Sequence, residues 1–85
     1  MSHLHWEVDL NANNIVIVTL ASQANVKVMD NDNYNKYMTG QRHTFYGGGA
    51  KVSPVRVKPP HSGHWHVVVD LGGYSGRIEA SVAVA

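Results

Sequence analysis

The chain of 85 residues contains no cysteine and carries little net charge of either sign. The absence of cysteine excludes disulfide bonds and every metal site that needs thiolate ligands. Seven Lys and Arg residues against six Asp and Glu residues give a net charge of +1 at pH 7. Because the basic residues are dispersed among the acidic ones, the charge pattern argues against a partner that is a nucleic acid.

Long hydrophobic runs are also missing from the sequence. No segment approaches the roughly 18 consecutive apolar residues that a transmembrane helix needs. The stretch from Met1 to Leu10 lacks the charged start and the apolar middle of a signal peptide. These absences predict a cytoplasmic protein without a membrane partner.

At 9.3 kDa the chain has the size of one small domain, and we predict that residues 1–85 form that single domain. A folded chain of this mass exposes about 5,000 Å² and has only a thin core. Without disulfides to support that core, we expect help from self-association or from a protein partner. A homo-oligomer is therefore one of the expected states.

Alternation of apolar and polar residues predicts that most of the chain is β-strand. The predicted strands lie at residues 3–10, 15–20, 25–30, 43–46, 51–58, 64–71 and 77–84. Seven short strands separated by turns are typical of an all-β fold, here a small antiparallel sandwich or barrel.

Three of these segments carry further expectations. The run at 15–20 is apolar on both faces, which predicts a core strand that is covered on both sides. Gly47-Gly48-Gly49 has no side chain to restrict its dihedral angles and predicts a loop or a sharp corner. Pro54 marks the strand at 51–58 as an edge strand or a bulged one. In the last strand, Val84 is expected to point inward.

Between residues 30 and 40 the spacing of apolar residues becomes helical. Three N-cap candidates stand at residues 30–32, and Gly40 is a natural C-terminal residue. Tyr34, Tyr37 and Met38 fall on one side of the predicted turns. The sequence therefore predicts one short helix, near residues 31–39.

The most conspicuous chemical feature is six histidines in so short a chain. Four of them form two pairs whose members are two residues apart: His3 with His5, and His64 with His66. Residues two apart on a strand project from the same face, so two imidazoles can reach one divalent ion. Glu7 and Asp9 share the face of the first pair, and Asp70 shares the face of the second. Four candidate metal ligands follow: His3, His5, His64 and His66.

These ligands converge only if the two strands are neighbours in the sheet, in which case the mixture of imidazoles and carboxylates suits zinc, iron or manganese. The alternative is that the polar rows are the solvated side of a sheet. A third use of the histidines is a pH switch, because protonation of all six would raise the net charge from +1 to +7. All three alternatives remain open at the level of the sequence.

Aromatic residues outside the strands give a second candidate site. All four tyrosines of the chain lie in or beside non-strand segments, where amphipathic rings often serve recognition. We predict a small-molecule pocket formed by Tyr34, Tyr37, Arg42, His43, Tyr46 and His61, with Tyr74 as a further ring. The alternative is that these rings only cap the ends of a thin sandwich.

Known catalytic and cofactor motifs are absent from the sequence. The acidic run at 30–35 lacks the ligand spacing of an EF-hand. The glycine clusters at residues 47–49 and 72–76 match neither a phosphate loop nor a nucleotide fingerprint. Ser62 lies beside His61 in the sequence, but adjacency in sequence does not make a catalytic triad. We therefore expect a protein without catalytic residues and without a cofactor other than a divalent metal ion.

Two long stretches carry a family resemblance. VKVMDNDNYNKYMTGQRHTFYGGG and PHSGHWHVVVDLGGYSGRIEASV resemble the bacterial domain-of-unknown-function family 1883. The resemblance implies a small all-β domain found in bacteria, alone or joined to Toll/interleukin-receptor-like domains. It implies no established activity and transfers no catalytic residue.

The residues and the resemblance together favour a non-enzymatic bacterial module for binding or assembly, of the kind that senses a ligand. The alternative function is a histidine-based protein that binds a divalent metal ion, or a small metalloenzyme.

Overall fold

The computed structural model describes residues 3–72 and 76–85, and these ranges contain seven strands and one helix. Their bounds are β1 His3–Leu10, β2 Val16–Leu20, β3 Ala24–Met29, α1 Asn31–Met38, β4 Tyr46–Ala50, β5 Val55–Val57, β6 Gly63–Asp70 and β7 Ala80–Val84. The strands form a four-stranded sheet in the order β1-β6-β3-β4 and a three-stranded sheet in the order β5-β2-β7. All strand pairs are antiparallel. The prediction of a small all-β sandwich or barrel with one short helix is confirmed, and the two sheets make the fold a sandwich.

The core lies between the two sheets and is built from the apolar residues that alternate along each strand. Its buried members are Leu10, Val16, Val18, Leu20, Ala24, Val26, Val28, Val57, Trp65, Val67 and Val69. Leu4, Trp6 and Val8 of β1 pack against this cluster, as the alternation along β1 predicts. The folded chain exposes 5248 Å².

The strand that is buried on both faces is β6, and the prediction that 15–20 takes this place is wrong. Every residue from Trp65 to Asp70 is buried, whereas Thr19 of β2 is exposed. The reason is the position of α1. It lies against β6 and β3 on the outer side of the four-stranded sheet and covers residues that a bare sheet would leave in water.

Helix α1 begins and ends where the sequence predicts. The side chain of Asp30 accepts a hydrogen bond from the backbone nitrogen of Asn33 at 2.9 Å, which caps the first turn. Gly40 follows the C-cap residue Thr39 with a φ of +74°, in the left-handed region that ends many helices. No residue of α1 is buried, and the helix contacts the sheet through the stacked ring of Tyr34 and the hydroxyl of Tyr37.

The three glycines at 47–49 lie within β4, and the prediction of a loop there is wrong. Residues 41–45, which include most of the strand predicted at 43–46, are irregular instead. Gly47 explains why this edge strand needs glycine: its φ is +117°, and a Cβ atom there would overlap the backbone oxygen of Val26 on β3. The run therefore allows β4 to lie close to its neighbour.

The three-stranded sheet agrees with the sequence in outline. β5 is an edge strand, as Pro54 predicts, although it is limited to Val55–Val57. Val84 at the end of β7 is exposed, contrary to the expected inward orientation. In the ranges 3–72 and 76–85, no helix has the length and apolar character to cross a membrane.

Candidate metal site

The two histidine-bearing strands are neighbours, which is the condition for their ligands to converge. β1 and β6 pair along their whole length, with Glu7 opposite His66 and Asp9 opposite His64. Residues directly opposite each other in an antiparallel pair point to the same face. The polar rows of β1 and β6 therefore form one surface on the outer side of the four-stranded sheet.

His64 is held by two carboxylates of β1. Its Nδ1 atom lies 2.8 Å from Oδ1 of Asp9, and its Nε2 atom lies 3.0 Å from Oε1 of Glu7. These hydrogen bonds, first the one with Asp9 and then the one with Glu7, raise the pKa of His64 above its ordinary value. The hydrogen bond with His64 lowers the pKa of Glu7 in turn.

His66 is 6% exposed and forms a linked pair with His5, 61 residues away in the sequence. Nε2 of His5 lies 2.8 Å from Nδ1 of His66. The other nitrogen of His66, Nε2, contacts Oδ1 of Asn31, and the other nitrogen of His5, Nδ1, lies 3.3 Å from the hydroxyl of Tyr34. Burial lowers the pKa of both imidazoles and favours their neutral forms.

The ring of Tyr34 stacks on the imidazoles of both His5 and His66. It stacks on His5 with the centroids 4.3 Å apart and 12° between the planes, and on His66 at 4.3 Å and 1°. Because Tyr34 is on α1, the helix limits the rotation of both imidazoles and keeps water from one face of each.

Glu7, His64 and His66 form a group suited to a metal ion. Each offers one ligand atom, and the three atoms all lie within 4.8 Å of one another. Ligand atoms around a tetrahedral zinc ion lie about 3.4 Å apart, given bonds of about 2.0–2.1 Å. Side-chain movements of about 1 Å would therefore close the group around an ion.

The four predicted ligands do not all reach this group. His64 and His66 belong to it, and His5 adjoins it through His66. His3 lies farther along β1, opposite Asp70, and packs its ring edge-on against Tyr37 at 5.4 Å between centroids.

Asp70 has a role that the sequence did not predict, because it anchors α1 to the sheet. It is 1% exposed and accepts hydrogen bonds from the hydroxyl of Tyr37 at 2.7 Å, from Nδ2 of Asn25 at 3.0 Å and from the backbone nitrogen of Gly72 at 2.9 Å. Burial alone would raise the pKa of Asp70, but these bonds outweigh it and lower the pKa. Burial and the bond to Asp70 raise the pKa of Tyr37.

The residues predicted to form one pocket are divided between the two faces of the four-stranded sheet. Tyr34, Tyr37 and His43 lie on the outer face with α1, where Tyr37 and His43 meet edge-on at 5.3 Å. Tyr46 and His61 instead contact Trp65, which belongs to the core between the sheets. Because the sheet separates the two sets, the six side chains do not surround one cavity.

Arg42 and Tyr74 are the other residues of the predicted pocket. Arg42 is exposed in the irregular segment before β4. Tyr74 lies outside the residues that the structure describes. The sequence does not predict the contacts of Lys27. Its ammonium lies 4.8 Å from the centroid of the Phe45 ring and 4.9 Å from that of Tyr37. The same group lies 3.4 Å from Nε2 of His43.

Comparison with known proteins identifies the family. A family model described as a domain of unknown function, DUF1883, matches residues 1–85, the whole chain. This chain belongs to the DUF1883 family. No curated protein and no solved structure matches this DUF1883 domain. The function proposed for it therefore rests on the arrangement of its own side chains.

Proposed function

We propose that this DUF1883 domain is a non-enzymatic module that binds one divalent transition-metal ion through Glu7, His64 and His66. The observation that supports this proposal most directly is the separation of at most 4.8 Å between one ligand atom of each residue. Glu7 reaches the two histidines only because β1 pairs with β6.

The type of ligand indicates the type of ion. Imidazole nitrogen suits zinc, copper, nickel and iron, whereas magnesium and calcium prefer sites made of oxygen alone. The chain contains no thiolate. Among the imidazole-binding metals we choose Zn²⁺ as the probe, because a set of imidazole and carboxylate ligands is common for zinc in proteins.

The structure already places two of the proposed ligands in contact. Glu7 accepts a hydrogen bond from the ring of His64, so the two side chains already lie close together at the surface. An ion held by His64 would have to displace the proton that Nε2 shares with Glu7. Because Asp9 and Glu7 raise the pKa of His64, this proton competes with the ion, and affinity should increase as the pH rises.

The test is a zinc titration of the untagged full chain by isothermal calorimetry, with His64→Ala as the ligand variant and His61→Ala as its matched control. His61 is an exposed histidine that contacts Trp65 and Ser62 rather than the proposed site. We expect one Zn²⁺ per wild-type chain. Removal of an outer-shell partner typically lowers metal affinity by about 10–100-fold. His64→Ala removes a ligand itself, so its affinity for Zn²⁺ should fall by more than that. His61→Ala should bind as the wild type does.

A wild-type chain that does not bind Zn²⁺ would overturn this proposal. So would equal losses of affinity in the two variants, because zinc would then be binding to surface histidines without regard to position. Circular dichroism of each variant tests whether a change in its affinity for Zn²⁺ comes from unfolding.

A further inference from the structure

We infer that His5 is the fourth ligand of this site, and that Asn31 and Tyr34 of α1 are positioning residues that orient the imidazoles of His66 and His5. The inference rests on the proposed function and names the part of the molecule that controls the site. It starts from the hydrogen bonds of the two rings, which assign a role to each nitrogen.

The contact with Asn31 determines which nitrogen of His66 carries the proton. Oδ1 of Asn31 is an acceptor, so Nε2 of His66 must donate to it. In a neutral imidazole the second nitrogen then carries a lone pair. That nitrogen, Nδ1, faces Nε2 of His5 at 2.8 Å. Asn31 thus leaves the lone pair of His66 directed towards β1, where the proposed ion binds.

Tyr34 acts on His5 in a similar way, through a hydroxyl that can both donate and accept. Because Nδ1 of His66 carries a lone pair, Nε2 of His5 donates to it, and Nδ1 of His5 then accepts from Tyr34. If an ion were held there, Nε2 of His5 would release its proton to solvent and Nδ1 would take up one proton from solvent, so the ring would stay neutral. Nδ1 would then donate to the oxygen of Tyr34, and the lone pair of Nε2 would be available as a ligand.

The position of α1 supports both contacts at once. Asn31 and Tyr34 are three residues apart and therefore lie on one face of the helix. The cap at Asp30 fixes where that helix begins. The ring of Tyr34 stacks on both imidazoles at 4.3 Å and holds their planes within 12° of its own.

Adding His5 completes the number of ligands that zinc prefers. Glu7, His64 and His66 supply one oxygen and two nitrogens. His5 lies outside that group of three and reaches it through the 2.8 Å contact of its Nε2 with Nδ1 of His66, from where it would supply a third nitrogen. Four protein ligands are typical of structural zinc sites, whereas catalytic sites keep one position for water. A fourth ligand agrees with a module that binds an ion without catalysing a reaction.

The outer-shell contacts of metal-binding histidines have a measurable effect. A hydrogen bond from the second ring nitrogen to an acceptor fixes the tautomer and raises the basicity of the ligand, and its loss typically costs about 10–100-fold in metal affinity. Both carboxylates and carbonyl groups can accept this hydrogen bond from a metal-binding histidine. Replacement of Asn31 can therefore be designed either to remove the acceptor or to keep it.

The experiment compares Zn²⁺ affinity in Asn31→Leu, which removes the acceptor at similar volume, with Asn31→Asp, which keeps it. Asn35→Leu is the control for the same substitution at an exposed position of α1. We expect Asn31→Leu to weaken binding by about 10–100-fold, Asn31→Asp to restore it, and Asn35→Leu to leave it unchanged. Tyr34→Phe keeps the stacked ring but should weaken binding, because it removes the hydroxyl.

Two further measurements separate positioning from a purely structural role. ¹⁵N NMR of the metal-free chain should find the proton of His66 on Nε2 in the wild type and a changed tautomer distribution in Asn31→Leu. For the fourth ligand, His5→Ala should weaken Zn²⁺ binding, whereas His3→Ala, two residues earlier on the same face, should not.

Three outcomes would count against these assignments in different ways. If the wild type binds zinc and Asn31→Leu, Asn31→Asp and Asn35→Leu all bind equally, the role of Asn31 is wrong and the proposed function stands. If His5→Ala binds as tightly as His3→Ala, His5 is not a ligand. If the wild type does not bind zinc, both the inference and the proposed function fall.

Discussion

Replacing Tyr37 with phenylalanine removes one hydroxyl group from the contact between α1 and the four-stranded sheet. That hydroxyl donates a hydrogen bond of 2.7 Å to Oδ2 of Asp70. Asp70 is 1% exposed, so water cannot easily replace the lost donor. The remaining donors, Asn25 and the backbone of Gly72, both bond to Oδ1, which leaves Oδ2 without the partner it has in the wild type.

The expected loss of stability follows from the charge and burial of the acceptor. Hydrogen bonds to charged groups contribute about 1.5–3 kcal/mol to stability, and removing the partner of a buried group costs a similar amount. A domain of this length has a total free energy of unfolding of about 4–13 kcal/mol. Tyr37→Phe is therefore expected to remove a large fraction of the stability while leaving the ring contacts with His3 and His43 in place.

The assay is urea denaturation of the metal-free chain at pH 7, followed by circular dichroism. With an m value of about 1 kcal/mol/M, the midpoint should fall by about 1.5 M or more. Tyr34→Phe is the matched control, because its hydroxyl makes a longer, exposed contact of 3.3 Å with a neutral ring. The control should shift the midpoint much less.

The dependence on pH tests the cause. The pKa of Asp70 is lowered by folding, so its contribution to stability is present above the unfolded pKa of about 3.9 and is lost as the pH falls through the folded pKa. The pKa of Tyr37 is raised, so its contribution is present below its unfolded pKa of about 10 and is lost as the pH rises above that value. The difference between wild type and Tyr37→Phe should be constant from about pH 5 to 9. A difference below about 0.5 kcal/mol at pH 7, or one that is as large at pH 2 as at pH 7, would refute the reasoning.

Two other predictions concern the edge strand and the metal. Gly47→Ala should destabilise the domain by at least about 1–3 kcal/mol, because residue 47 has a positive φ and a Cβ atom there would overlap Val26. Gly49→Ala is the control, since a Cβ atom at that position would make only an ordinary contact with Asn25. It should reduce the free energy of unfolding by less in the same urea assay. Equal effects would contradict the close approach of β4 to β3. Zinc at about 100 times its dissociation constant should stabilise the wild type by about 2.7 kcal/mol, and a chelator should reverse the rise in melting temperature. A melting temperature that zinc raises equally in His64→Ala would contradict binding at this site.

Much of the fold could be predicted because the signals that define it are local. The alternation from His3 to Leu10 places the histidines and acids of β1 on one face, and the structure confirms that pattern. The residues that end α1 act within one or two turns, so Asp30 and Gly40 were sufficient to locate it. Local pattern was misleading at 47–49, because the glycines are required by a neighbouring strand rather than by a turn.

The candidate site was only partly predictable, because its residues come from distant parts of the chain. The alternation places Glu7 on the polar face of β1 and His64 and His66 on the polar face of β6, but no local signal predicts that β1 pairs with β6. The sequence marks Asn31 only as a candidate N-cap. Its contact with His66 arises because α1 folds back over the sheet.

Side-chain spacing along the backbone is enough to predict the secondary structure of most of this protein and the face of each strand that carries its imidazoles. Which of those faces meet depends on the tertiary fold. It joined His5 to His66 across 61 residues and buried the outer face of β6 beneath α1. It also separated the predicted pocket into two groups, since a hydrogen-bonded sheet lies between side chains that the sequence could place only near loops.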